Sequence, residues 1–425
     1  MRKSILNNLI PREDAVNKLI KSWNFQSKTE TIKLEEAFGR VTAADIVSNN
    51  SLPVYRASMV DGIAVRKSDF KDGIPDTTNW EKNMDYAQAD TGDDFNDEFD
   101  SVIMIEKISF DEKGRPIFAP TVNVNKSNIR SGGTTIKKGE LILNKNTKIK
   151  EIQLSALAAG GIKELLVYKK PKVVFIPTGN ELIHRRTIPT RGKNVESNSI
   201  MVKAMLEKMG AEFVCYHIIP DDIAELSKAI EKALKEGDII LICAGSAKGE
   251  EDYTHVVLNK YSKVIQHGIA TAPGRPTGFA LADNKPIINI PGPTLGAYYA
   301  IDLCVTPLID TLMHQSPEKR ETQIITLGEN IKTVDTMEFI IRMRVVEKEG
   351  SFIGYPVSSS ASFPTTAREC NALLFVPIGI KGYNKGQEVV VELLYGRKEI
   401  LQYEVNNDNR YKVRTKRLSL KRINR

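Results

Sequence analysis

Four cysteines in 425 residues are too few for a disulfide framework, and Cys215, Cys243, Cys304 and Cys370 form no CxxC pair. Two of them, Cys215 and Cys243, fall inside apolar runs. That pattern fits buried thiols in a reducing compartment and argues against a zinc site or a cross-linked secreted domain. The five histidines show no HxH or HExxH spacing, which excludes the common histidine-based metal motifs. No apolar run approaches the roughly 20 residues of a membrane span. Residues 1–8 lack the long apolar core of a secretory signal, so a cytoplasmic setting without membrane contact is expected. The body of the chain also lacks net charge. Of 60 Lys and Arg and 53 Asp and Glu, eight and one fall in residues 406–425, leaving 52 of each sign elsewhere. The whole +7 therefore sits in the tail, which is expected to be a solvated end rather than a nucleic-acid contact.

What is present is a soluble composition, 41% hydrophobic and 27% charged, over a length that fits two to four domains. The organising stretch is 172–313. Apolar strands at 173–176, 213–219, 238–243 and 286–290 alternate with helices at 197–209 and 223–235. Such alternation means a parallel sheet covered on both faces, with ligands beyond the carboxyl ends of its strands. Those ends carry Thr178-Gly179-Asn180-Glu181, Asp221-Asp222, residues 245–252 and Pro291-Gly292. Glycines there let backbone N–H groups approach a phosphate, and carboxylates can hold a cation. Upstream, residues 11–24 read as a helix with Ala15, Leu19, Ile20 and Trp23 on one face, and 150–160 as another. Residues 66–142 read as short strands and turns, and strands recur at 339–346, 372–377 and 388–394, enough for a small barrel.

Several motifs in order give the chain a family likeness. They are Leu52-Pro53 with Ser58-Met59-Val60-Asp61-Gly62-Ile63-Ala64-Val65, then Asn128-Ile129-Arg130, Pro177-Thr178-Gly179-Asn180-Glu181-Leu182 and Glu196-Ser197-Asn198. Gly249-Glu250-Glu251-Asp252-Tyr253, Pro273-Gly274-Arg275-Pro276 and Ile290-Pro291-Gly292 follow. From about residue 10 to 400 the chain resembles the molybdopterin molybdenumtransferases, the MoeA-type proteins and the gephyrin E domain. The resemblance implies a multidomain α/β plus β fold. It comprises a helical linker (1–45 and 143–171), an inserted β-rich domain (46–142), a three-layer molybdopterin-binding α/β domain with a parallel sheet (172–322) and a C-terminal small β-barrel (323–405), before the 406–425 tail. It implies a homodimer with a cleft between the α/β domain of one subunit and the inserted domain of the other. The implied reaction takes adenylylated molybdopterin and molybdate, releases AMP and inserts molybdenum, with Mg²⁺ assisting and other cofactor-biosynthesis proteins as partners.

Hydrolysis of a phosphoanhydride needs a cation on the developing oxygen charge and carboxylates to hold it. The resemblance gives that catalytic and metal-holding role to Asp61, Glu181, Asp222 and Asp252. Read without it, Asp61-Gly62 suits a turn, and Asp222 and Asp252 suit helix caps. Implied substrate contacts are Thr91, Arg130, Thr178, Gly179, Gly245, Ser246, Gly249, Arg275, Pro291 and Gly292, with Arg275 standing where the family usually has lysine. The chain departs from the family at Asn180 for an aspartate, Ala244-Gly245-Ser246 for "SGG", Ala247-Lys248-Gly249 for "SVG", Gly132 to Thr135 for "RGED", Ala272 for a lysine and Pro293-Thr294 for "NP". Those departures leave open a paralogue that binds the pterin as carrier or adaptor without turning it over.

Overall fold

A computed structural model describes residues 8–244, 253–361, 363–398 and 400. The first element, helix α1 (Arg12–Ser22), buries Ala15, Val16 and Leu19 at the i, i+1, i+4 spacing of one helical face. It belongs with the α/β unit, comprising Met1–Gln26 and Lys170–Arg425, and not with the 27–169 segment that follows it in sequence. Lys18 Nζ donates to Ile265 O at 2.8 Å, and Arg12 grips Glu338 through Nε and Nη2, each at 3.1 Å.

The second unit, Ser27–Lys169, runs β1 (Thr29–Lys33), β2 (Ile46–Val47), β3 (Ala57–Ser58), β4 (Gly62–Val65), β5 (Ala87–Ala89), β6 (Ser101–Met104), β7 (Ile129–Arg130), β8 (Leu141–Leu143), α2 (Glu151–Ala159) and β9 (Glu164–Tyr168). Strand β1 pairs with β9 and β2 with β8, so the two ends of the unit close around Ile32, Ile46, Leu157 and Leu165. The part between is the expected β-rich insertion, with β4 central between β5 and β6. Period-2 alternation sends Ile63 and Val65 to a core with Tyr86 and Phe118, and Ala64 to a second core with Phe95 and Phe99. Gly62 starts β4 because a Cβ there would overlap Ile103 O on the paired strand.

The α/β unit continues with β10 (Lys172–Pro177), β11 (Leu182–Ile183), β12 (Asn194–Val195), α3 (Asn198–Lys208), β13 (Glu212–Cys215), α4 (Ile223–Glu236), β14 (Ile239–Ala244), α5 (Tyr253–Tyr261), β15 (Lys263–His267), β16 (Gly278–Ala282), β17 (Lys285–Pro291), α6 (Thr294–Ala300) and α7 (Thr306–Leu312). The main sheet has the order β13-β10-β14-β17-β16-β15. Its first four strands are parallel, as expected, and β16 adds antiparallel to both β17 and β15. The last two strands escape a sequence reading because Gly278-Phe279-Ala280-Leu281-Ala282 has no β-branched residue and β15 carries a register shift between Val264 and Gln266. Strand β13 stops at Cys215, short of the expected 219. It is an edge strand with one ladder partner, and Cys215 is exposed rather than buried. Val174, Ile176, Ile240 and Ile242 pack under Leu226, Ile230 and Leu234 of α4.

Downstream, β18 (Thr322–Leu327), β19 (Glu338–Lys348), β20 (Ser351–Pro356), β21 (Ala372–Val376) and β22 (Glu388–Leu393) close into a five-stranded barrel through the β19–β21 pairing. Its interior is Ile325, Leu327, Met343, Val345, Leu374, Val376 and Val391. The expected barrel is thus present. Among the described residues no helix is long and apolar enough to cross a membrane.

Candidate active site

Strand β10 comes first in the main sheet; the chain goes next to β13 on one side and then to β14 on the other. The order reverses between β10 and β14, which is where open α/β sheets bind ligands. The carboxyl ends of β10, β14 and β17 are in register, Pro177 opposite Cys243 and Cys243 opposite Ile290. A cavity of about 350 Å³ opens there, lined by Thr178, Glu181, Asn194, Glu196, Asn198, Cys243 and Gly292 among others.

Local geometry explains each wall. Thr178 is buried, and its N–H and hydroxyl both donate to Cys243 O, at 2.9 and 3.3 Å. Gly179 has φ +146°, and a Cβ on it would lie 2.6 Å from Glu181 Oε2. The glycine therefore makes room for the Glu181 carboxylate, which accepts no hydrogen bond from the described residues and faces the cavity. The other cavity carboxylate, Glu196, is already used: Ser199 donates to it through N at 2.9 Å and Oγ at 2.5 Å, ahead of the first turn of α3. Asn198 Nδ2 donates to Gly292 O at 2.8 Å and tethers the loop after β17 to α3. Burial pushes the Cys243 thiol up to about 12, so it stays protonated.

Asn180, in place of an aspartate, has a local reason. Its Oδ1 accepts from Asp221 N at 3.2 Å while Asp221 Oδ2 accepts from Asn180 N at 3.0 Å. A carboxylate at 180 would set two like charges against each other in that clamp. Asp222 is the N-cap of α4, with Oδ1 accepting from Ala224 N and Glu225 N at 2.8 and 2.9 Å, and it does not line the cavity. Arg275 is exposed in the loop after Ala272-Pro273 and is not a wall of the cavity either. Pro291 ends β17, one residue before Gly292. Gly245, Ser246, Gly249 and Asp252 lie outside the described residues.

In the other unit, Asp61 Oδ1 accepts from Thr91 N at 2.7 Å. The Thr91 backbone N–H and hydroxyl hold the Asp61 carboxyl below its ordinary range. Arg130 is exposed on β7 and pairs with Ala57 of β3, so the "NIR" and "LP…DG" motifs are neighbours.

Asn194, Cys243 and Thr294 line the cavity without having been singled out, because ordinary residue types give no signal until the sheet register brings them together. The segment between β11 and β12 was also missed. Arg185, Arg186, Arg191 and Lys193 lie there with no acid between them. Lys193 Nζ donates to Asn180 O at 2.6 Å, and the three arginines form no ion pair among the described residues. The strands that flank the segment contribute Leu182 and Asn194 to the walls of the cavity. Among the described residues no three His, Cys, Asp or Glu side chains converge as a metal cluster.

Comparison with known proteins fits this geometry. Residues 10–161 match the family described as the MoeA N-terminal region (domain I and II), and residues 174–311 match a probable molybdopterin binding domain. The chain is 31% identical over 324 residues to the molybdopterin molybdenumtransferase of Haemophilus influenzae, covering 73% of this chain and 80% of that protein. It is 26% identical over 404 residues to the molybdopterin molybdenumtransferase of Staphylococcus epidermidis, covering 90% and 94%. The molybdopterin biosynthesis MoeA protein from Pyrococcus horikoshii OT3 superposes with a TM-score of 0.71 at 27% identity, covering 91% of this chain and all of that one.

Proposed function

The chain belongs to the molybdopterin molybdenumtransferase family, and we propose that the cavity at the ends of β10, β14 and β17 is where it handles its substrate. It is an enzyme of molybdenum cofactor biosynthesis. It takes adenylylated molybdopterin and molybdate, cleaves the adenylyl link with release of AMP, and leaves molybdenum on the dithiolene. The observation that carries this reading is the position of the cavity at the reversal of strand order. Its volume of about 350 Å³ is within the range of small-molecule sites.

Glu181 is the carboxylate we assign to the reacting phosphates. It lines the cavity, it accepts no hydrogen bond from the described residues, and Gly179 leaves it room. Mg²⁺ is commonly held by one or two carboxylates together with phosphate oxygens and water, so Glu181 fits that ion without a larger acidic cluster. When bound, the ion would neutralise charge on the phosphate oxygens. Asp222 is better read as a helix cap. Asp61, Thr91, Arg130 and the 245–252 residues keep their assigned roles on the motif match alone. A further electrostatic contribution comes from Arg185, Arg186, Arg191 and Lys193, whose unbalanced positive charge favours approach of an anionic nucleotide and molybdate. We also propose a homodimer, the state the family implies, which light scattering would report.

The test is AMP release. Wild-type protein given adenylylated molybdopterin should release AMP when molybdate and Mg²⁺ are added. Retention of the intact adenylylated pterin under those conditions would replace this reading with a carrier.

A further inference from the structure

Asn198 opens α3 and is 7% exposed at the inner wall of the cavity. Both hydrogens of its Nδ2 have acceptors, Gly292 O at 2.8 Å and Cys243 Sγ at 3.4 Å. Its Oδ1 is buried and has no hydrogen-bond partner among the described residues. The amide orientation is dictated by its surroundings, since Gly292 O can only accept and reversing the amide would set two acceptors against each other. The neighbouring thiol cannot satisfy Oδ1, because Cys243 Sγ donates to Pro291 O at 3.7 Å. The fold thus holds an acceptor, desolvated and fixed, at a wall of the cavity. Buried polar groups are nearly always partnered, and one left open in a binding cavity awaits a donor from the ligand.

The chemistry of that donor is restricted. Phosphate, molybdate and dithiolene groups present acceptors at neutral pH, so none of them suits this spot. That leaves the heterocycle edges and the ribose hydroxyls as donors, and the calorimetry below separates the two. Resting on the substrate reading above, we propose that Asn198 Oδ1 accepts a hydrogen bond from the exocyclic amino group of the pterin ring. Asn198 then selects the heterocycle, while Glu181 serves the phosphates. The tether to Gly292 O has a second consequence: it holds the acceptor in one place, so discrimination does not depend on a mobile side chain.

The experiment compares two ligands on the full chain by titration calorimetry: 6-hydroxymethylpterin, which has the amino group, and 6-hydroxymethyl-lumazine, which has an oxygen in its place. Wild type should prefer the pterin by about fivefold or more, the scale of one neutral hydrogen bond. In Asn198→Ala the preference should fall to about one. Asn198→Asp keeps an oxygen and should retain the preference while weakening both ligands. A role confined to tethering the Gly292 loop would weaken both ligands equally and leave the ratio unchanged, which overturns the proposal. Equal affinities in wild type also overturn it, with no variant needed. An Asn198→Ala effect on AMP affinity instead of on the pterin ratio would assign the acceptor to the adenosine and reject the pterin. Molybdate-dependent AMP release by wild type, run alongside, separates failure of this inference from failure of the substrate reading.

Discussion

Replacing Asp222 tests whether a family acid in this chain serves structure or chemistry. Its Oδ1 accepts two backbone N–H groups of α4, at 2.8 and 2.9 Å, which would otherwise lack partners. The residue is exposed, so water replaces part of what Asp222→Ala removes, and the loss is about 1 kcal/mol rather than the upper end of the N-cap range. For a domain of this size that is roughly 2–4 °C in melting temperature. Asp222→Asn keeps both hydrogen bonds and gives up only the charge facing the helix dipole, so most of the stability should return. Neither change should lower molybdate-dependent AMP release more than about twofold once the protein is folded. The assay is scanning fluorimetry beside AMP release for wild type and both variants. An Asp222→Asn protein with wild-type melting and a hundredfold slower release would refute a purely structural role, because an amide caps a helix but cannot replace a carboxylate on a cation.

Other substitutions probe the remaining walls. Gly179→Ala should displace Glu181 and add roughly 1–3 kcal/mol of backbone strain, lowering AMP release about tenfold or more; unchanged kinetics would remove Gly179 from the site. Neutralising Arg185, Arg186 and Arg191 together to Gln should raise KM at low salt, with the difference fading near 0.5 M salt and kcat unchanged. A KM that ignores both charge and salt would contradict steering. The carboxyl of Asp61 is held below its ordinary range by Thr91, so its contribution to stability is present above the unfolded-state pKa and is lost as pH falls through the lower folded-state value. Urea midpoints between pH 7 and pH 3 should therefore converge for wild type and Asp61→Asn towards acid; a gap that widens on acidification would reverse the sign.

Much of the fold was legible because its signals are local. The runs at 173–176 and 239–242 are continuous and apolar, as strands buried on both faces must be, and α4 has a capping aspartate and one apolar stripe. Hidden were features that depend on tertiary placement. Strand β16 has no β-branched residue, and α1 joins the α/β unit through contacts some 250 residues away in sequence, such as Lys18 to Ile265. The site was legible only in part for the same reason. Thr178, Gly179, Glu181 and Gly292 stand out as strand-end motifs and Asp222 suits a helix cap, but nothing in the sequence says that Glu196 is consumed by Ser199 or that the Asn198 carbonyl is left open among the described residues. Asn180 looked like a lost charge and proves to clamp Asp221.

The most direct measurement is molybdate-dependent AMP release by wild type and Glu181→Gln, which is nearly isosteric and removes only the charge. The account expects release by wild type and a loss of a hundredfold or more in the variant, with its fold unchanged by circular dichroism. Equal rates for the two proteins would contradict the assignment of this cavity as the place where the adenylyl link is broken.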